Sequence, residues 1–186
     1  MQERGDEELV SEAQRGASPA FTTLVERYFD RVYRYTAMRI GNTADAEDLA
    51  QEVFLKAWKA IGKYRWTGAP FSAWLFRIAH NLVVDQYRRQ GQGATVSLED
   101  MPQDPSRDDV EEQAELALSV DELRKALPKL TEAQRQVILL RFGSGLSLEE
   151  TAAAMKKKVN AVKALQHAAV LSLRRILVKV SVAEKP

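Results

Sequence analysis

Three consecutive lysines, Lys156–Lys158, stand between two stretches of helical periodicity. A dense cationic run at a turn suits a polyanion, because neutralised phosphates dominate nucleic-acid affinity. The segment from Lys63 to Arg89 offers a different chemistry. It sets Tyr64, Trp66, Phe71, Trp74, Phe76 and Tyr87 among Lys63, Arg65, Arg77, Arg88 and Arg89. Rings that stack on bases, interleaved with cations that hold phosphates, are what a single strand of nucleic acid needs. Phe71, Trp74 and Ile78 also fall at core spacings of three and four, so both readings stand there. Tyr64 and Trp66 precede the helix, in a loop where burial is less natural. Asn81, polar in mid-helix, either satisfies a buried backbone group or reads a base edge. Acid groups occur at Glu149–Glu150 and Asp45/Glu47/Asp48, but no phosphate loop, nucleophile–base pair or metal-ligand spacing accompanies them. The chain is expected to be no enzyme and to use no metal or cofactor.

The elements that must position these residues all read as helices. A first helix covers about Asp6 to Arg15 and stops at Gly16. Ser18 is placed to cap a second, with Pro19 at its first position, which needs no N–H donor. That helix runs to Ile40, ends at Gly41 and buries Phe21, Leu24, Val25, Phe29, Val32 and Tyr35. A third, from Asn42 or Thr43 to about Ile61, buries Leu49, Val53, Phe54, Ala57 and Trp58. Its opposite face carries Asp45, Asp48, Gln51, Glu52, Lys56 and Lys59, which by composition alone reads as a solvated surface. A loop over 62–70 leads into a fourth helix, about Phe71 to Arg89. Residues 91–108 are rich in Gly, Pro, Ser and acids without periodicity and read as a linker. A helix from about Asp109 to Leu127 follows, then Pro128. Two capping boxes punctuate the remainder, Thr131 with Gln134 and Ser147 with Glu150. The short helix after Ser147 buries Leu148, Ala152 and Met155. The long one after the lysines buries Val162, Leu165, Ala169, Leu173 and Ile176. This is the layout of a helix-turn-helix that reads duplex DNA, or of a plain helical hairpin with a solvated lysine run.

The fold class expected is therefore all-α: two small helical domains on a flexible acidic linker, at 1–90, 91–108 and 109–186. Charge divides the same way. The net +1 of the chain splits into +1 over residues 1–95, −9 over 96–122 and +9 over 123–186. A basic C-terminal part fits nucleic acid, and the acidic stretch could repel it, mimic it or fold back on the basic part. There is no cysteine, so disulfides and thiolate chemistry are excluded. The charged N-terminus lacks a signal-peptide core, and no apolar run reaches membrane-spanning length. A soluble cytoplasmic protein with no membrane insertion is the expectation.

Three segments, in order, resemble the sigma factors of RNA polymerase, in the extracytoplasmic-function (ECF) group of the sigma-70 family. DAEDLAQEVFLKAW is similar to the family's polymerase-binding segment and FSAWLFRIAHNLVVDQYRR to its −10 segment. The run from LPKLTEAQRQVILLRF to LSLRRIL is similar to its −35-binding domain. The resemblance covers nearly the whole chain. It implies a transcription initiation factor whose partners are core RNA polymerase and promoter DNA, duplex at −35 and single-stranded at −10. It also implies an inhibitory anti-sigma factor. Asp48, Gln51 and Glu52 fall at the family's polymerase-docking positions. Ala60, Tyr64 and Asn81 fall at its pocket for a flipped −10 base, with Lys63, Trp66, Arg88 and Arg89 alongside. Asn160, Lys163 and His167 fall on the outer face of the −35 helix, with Lys156, Lys157 and Lys158 near phosphates. Where the family often carries two further arginines, this chain has Leu165 and Ala168, which shifts −35 binding towards phosphates and shape. Asp100, Asp104, Asp108 and Asp109 lie where the family threads through the RNA path of the polymerase. The alternatives are a freestanding operator-binding regulator, which has no use for base stacking, and a protein adaptor, which has no use for a +9 segment.

Overall fold

The computed structural model describes residues 4–89, 91 and 122–183, with side chains to residue 177. Helix α1 spans Asp6–Gln14, α2 Ser18–Ile40, α3 Thr43–Ala60 and α4 Phe71–Arg89. Residues 122–126 are helical and pass through a 3-10 turn, Leu127–Lys129, into α5, Glu132–Ile138. A π-helical turn over Leu139–Gly143 extends α5; α6 covers Leu148–Met155 and α7 Val159–Ala183. No strand occurs among the described residues, so the all-α expectation holds there. Of the expected linker only Gly91 is described, and the four acids at 100, 104, 108 and 109 lie outside the described residues.

Helix ends follow local chemistry. Gly16 and Gly41 stop α1 and α2 with φ of 92° and 78°, a region where a Cβ is costly. Asn42 caps α3 by accepting from the Asp45 amide at 3.1 Å. At α2 the boundary differs by one residue from the sequence expectation. Ala17 is the cap, without a side-chain bond, and Ser18 is already helical. The Ala17 carbonyl takes the first helical amides, those of Ala20 and Phe21, so the serine hydroxyl is not needed there.

Helix α2 is the spine. It packs against α1, α3 and α4, and against the π turn of the C-terminal half. Leu24, Val32 and Tyr35 of α2 are fully buried with Val53 of α3 and with Phe71, Leu75 and Phe76 of α4. The Thr36 hydroxyl, also buried, donates to the carbonyls of Tyr33 and Ala46 at 2.9 Å each, tying α2 to α3. In the C-terminal half α5 and α6 pack on α7, burying Val137, Leu139, Leu140, Leu146, Ala152, Val162 and Ala169. The two halves share one continuous core, because α6 lies along α4.

Candidate nucleic-acid and polymerase interfaces

The helix-turn-helix is built by its caps. Thr131 and Gln134 bond reciprocally at 3.3 Å each; Ser147 and Glu150 do so at 3.0 and 2.7 Å. Each box satisfies two of the four amides that a helix start leaves open. Helix α6 ends on Lys156, which at φ 53° is the one described non-glycine residue with positive φ. That conformation swings Lys156, Lys157 and Lys158 outward, and all three are exposed. Val162, Ala169 and Leu173 turn α7 inward, which leaves Asn160, Lys163 and His167 exposed on the opposite face. Ala168 shares that open face, whereas Leu165 is half-buried against the core. Residues 159–183 contain no acid, so the face is uniformly cationic or neutral. Arg141 fixes its tilt by donating from Nε to Gln166 at 3.0 Å and from Nη1 to the Leu146 carbonyl.

A 3-10 turn, Ile61–Lys63, and the loop after it form the second surface. The Gln14 amide reaches from α1 to the carbonyls of Ile61 and Tyr64, 2.9 Å each, and anchors the loop. Arg65 closes it by donating to Gly62 and Tyr64 carbonyls at 3.2 Å. Tyr64 departs from the loop expectation: it is only 6% exposed. Its ring meets Phe71 and Trp74 at centroid distances of 6.0 and 5.1 Å, and its hydroxyl donates to the Ala69 carbonyl at 3.1 Å. Burial pushes its pKa above the ordinary tyrosine value. The reason is packing from α1 and α4 on both sides of a loop that looks free in one dimension. Trp66 behaves as the loop reading expects, 48% exposed, with its ring edge-on to Tyr64 at 6.4 Å.

Trp74, Arg77, Asn81 and Arg88 recur every three, four and seven residues, so they share one side of α4. Trp74 is the one that touches Tyr64, so this stripe continues the loop surface. Asn81, Arg88, Arg89 and Lys63 are exposed and Ala60 is half-buried. The arrangement offers a stacking ring, an amide and several cations along one track, on a floor made by Tyr64. Arg77, half-buried in the same stripe, was within the aromatic–basic run but not singled out.

On α3, Asp48 and Gln51 are exposed and Glu52, half-exposed, lies 3.5 Å from Lys56. Leu55, 52% exposed, joins them one turn on. Its sequence signal was its place off the buried stripe of Leu49, Val53 and Ala57. An apolar residue centred among acids is the composition of a protein-docking face.

Comparison with known proteins assigns the two halves to two family regions. Residues 24–92 match Sigma-70 region 2, and residues 126–175 match Sigma-70 region 4. The ECF RNA polymerase sigma factor BldN of Streptomyces coelicolor is 39% identical over 91% of this chain and 65% of its own length. The ECF sigma factor SigD of Mycobacterium tuberculosis is 36% identical over 89% of this chain and 81% of its own. Among solved structures, CnrH in complex with the cytosolic domain of CnrY superposes with a TM-score of 0.69. It is 28% identical, over 95% of this chain and 97% of that one. Two region matches in the order of the two surfaces, and relatives that span both, place this chain in the sigma-70 family, in its ECF group of RNA polymerase sigma factors.

Proposed function

We infer that the protein is a transcription initiation factor that binds core RNA polymerase through α3, engages a duplex −35 element through α7 and the lysine turn, and holds a melted −10 strand on the loop–α4 track. The observation that carries this reading is the exposed Trp66–Asn81–Arg88 track in the same chain as a basic helix-turn-helix. A duplex reader alone needs only the second. The proposed division of labour is residues 1–90 for polymerase and −10, 91–108 as linker and 109–186 for −35. Asp48, Gln51, Glu52 and Leu55 meet the polymerase. Lys63, Trp66, Asn81, Arg88 and Arg89 contact the strand, with Ala60 and Tyr64 shaping the pocket. Lys156–Lys158 hold phosphates, while Asn160, Lys163 and His167 face base edges. Capturing an unstacked base offsets the few kcal/mol that unstacking costs.

The protein acts by binding, without a catalytic step of its own, in the cytoplasm where polymerase works. No described helix is long and apolar enough to cross a membrane. An inhibitory anti-sigma protein completes the set of partners; CnrH, the similar solved structure, is in complex with a second chain, the cytosolic domain of CnrY.

Run-off transcription on fragmented genomic DNA with core polymerase, with and without the protein, tests the whole reading. New discrete start sites are expected only with the protein. A gel shift by the protein alone, without new starts, would instead indicate an operator-binding regulator. Asp48→Arg with Glu52→Lys is expected to weaken polymerase capture at least tenfold while leaving the circular dichroism spectrum unchanged. Wild-type capture by that double variant would refute the docking face.

A further inference from the structure

The outer face of α7 is divided. Residues 159–173 hold one lysine, Lys163, and no acid or arginine. Asn160, Ala164 and Ala168 recur every four residues and form one row, with Ala161 beside it, and all four are exposed. Lys163 and His167, also four apart, form a second exposed row next to the first. Gln166, the other amide side chain of the helix, is half-buried and accepts from the Arg141 guanidinium at 3.0 Å. Asn160 is therefore the one amide on the open face. The first arginine, Arg174, stands about 21 Å along the axis from Asn160.

A recognition helix meets base edges with its N-terminal turns. The stretch from Asn160 to Ala168 covers about 12 Å of helix axis, which matches a major groove about 12 Å wide. The side chains on that length are selective. In the groove guanine offers two acceptors, cytosine an amino donor, adenine an acceptor beside a donor, and thymine an acceptor and a methyl group. An asparagine amide completes both bonds to adenine N7 and N6. An alanine has nothing to give guanine or cytosine, whereas its methyl gains by covering a thymine methyl from water. Lys163 is the one cation in this stretch able to take guanine O6 and N7. Alanine on an outer helix face is ordinary helix-forming composition. Three of them around Asn160, on the face that follows the lysine turn, also fix which bases a seated duplex can satisfy.

Resting on the promoter-binding reading above, we propose that α7 reads A·T pairs directly in the −35 duplex: Asn160 takes adenine through N7 and N6, and Ala161, Ala164 and Ala168 take thymine methyl groups. The three alanines are then specificity-determining residues, and they act by apolar contact with the bases. Lys156, Lys157 and Lys158 hold the helix in the groove through phosphates and carry no part of the base preference.

The test uses the full chain with core polymerase, on a promoter whose start depends on the protein and whose −35 base pairs are randomised. Sequences retained by the holoenzyme are expected to carry at least two A·T pairs within about four base pairs, the length that α7 spans. Uracil in place of one of those thymines keeps base pairing and removes only the methyl group. It is expected to weaken binding by about threefold, the worth of one buried methyl, while uracil at thymines outside the −35 segment changes nothing. Asn160→Ala is expected to erase the adenine preference at one position and leave the salt dependence as it was. Ala164→Arg is expected to move one position from thymine to guanine. Retained sequences with G·C pairs throughout, or unchanged binding with uracil on the wild-type protein, would overturn the proposal even if a variant failed to fold. A loss from Asn160→Ala that is equal for every sequence would make that residue a phosphate contact and overturn its reading of adenine. Starts that depend on the protein without any −35 preference would overturn the base reading and leave the initiation-factor reading standing. No protein-dependent start on any promoter would refute the initiation-factor reading itself.

Discussion

Tyr64 and Trp66, two residues apart, have different tasks, and substitution separates them. Tyr64→Phe removes the bond to the Ala69 carbonyl and is expected to cost about 1 kcal/mol of stability. Its effect on DNA should follow only from the loosened loop. Trp66→Ala touches an exposed ring, so stability should stay within about 0.5 kcal/mol of wild type. Affinity of the holoenzyme for single-stranded −10 DNA should fall by about 1–3 kcal/mol, the worth of one stacked base. Urea denaturation and fluorescence anisotropy read the two effects, and a normal anisotropy curve for Trp66→Ala would remove the ring from the track. His80 gives a pH dependence. It lies half-buried with Nδ1 3.1 Å from the Tyr35 hydroxyl. Burial, then the Arg39 charge, hold its pKa below the ordinary histidine value, with Glu132 opposing. The folded state thus binds fewer protons than the unfolded one. Stability is whole above pH ~6.5 and declines as pH falls below that value. A His80→Gln variant should show a flatter profile between pH 5 and 7 in urea titrations; an identical slope would locate the acid sensitivity elsewhere.

At the scale of elements, the turn between α6 and α7 places binding and stability in opposition. Lys156 occupies the left-handed region, at a cost of roughly 1 kcal/mol that glycine would not bear. Lys156→Gly should therefore raise the melting temperature by a few degrees while lowering the slope of log affinity against log salt by about 1, one phosphate contact. Loss of stability would mean that the lysine stem packs more than the strained backbone costs. Ser147→Ala should go the other way, losing about 1 kcal/mol with the α6 capping box. Most of this level was legible in one dimension. Helix stops at glycine, both capping boxes and the buried stripes of α3 and α7 depend on residues three or four apart. The π turn at Leu139–Gly143 was not legible, because the Ser144 amide reaches the Leu139 carbonyl in answer to packing on α2.

The whole molecule behaves as one body because α6 lies on α4 and the π turn on α2. Chemical denaturation of the wild-type chain should show one cooperative transition by both tryptophan fluorescence, which reports the N-terminal half, and far-ultraviolet circular dichroism. All three tryptophans lie before residue 90, so the probes cover different parts. Combining Glu132→Lys, which removes the ion pair to Arg39, with Gly143→Val, whose side chain would crowd the Met38 sulfur, should separate the two curves, and coincident curves would show that the halves depend on each other through more than these two contacts. The acidic stretch 96–122 was a plausible attractor for the basic half, but apart from Glu122 it lies outside the described residues. The polar contacts between the halves come instead from Arg31, Arg39 and Ser72, which reach Ser144, Glu132 and Glu150.

The amino-acid order by itself determined the helices, their caps, the aromatic–basic and lysine runs and the membership in the sigma-70 family. Each of these rests on spacings of a few residues or on composition, which the chain displays without folding. Tertiary structure alone decided that Tyr64 forms a floor while Trp66 stays open, and that a buried arginine near residue 40 answers a glutamate beyond residue 130. Burial and ion pairing between remote segments depend on which surfaces meet. Ser72 and Glu150, 78 positions apart, carry no mark of one another until α4 and α6 are packed together.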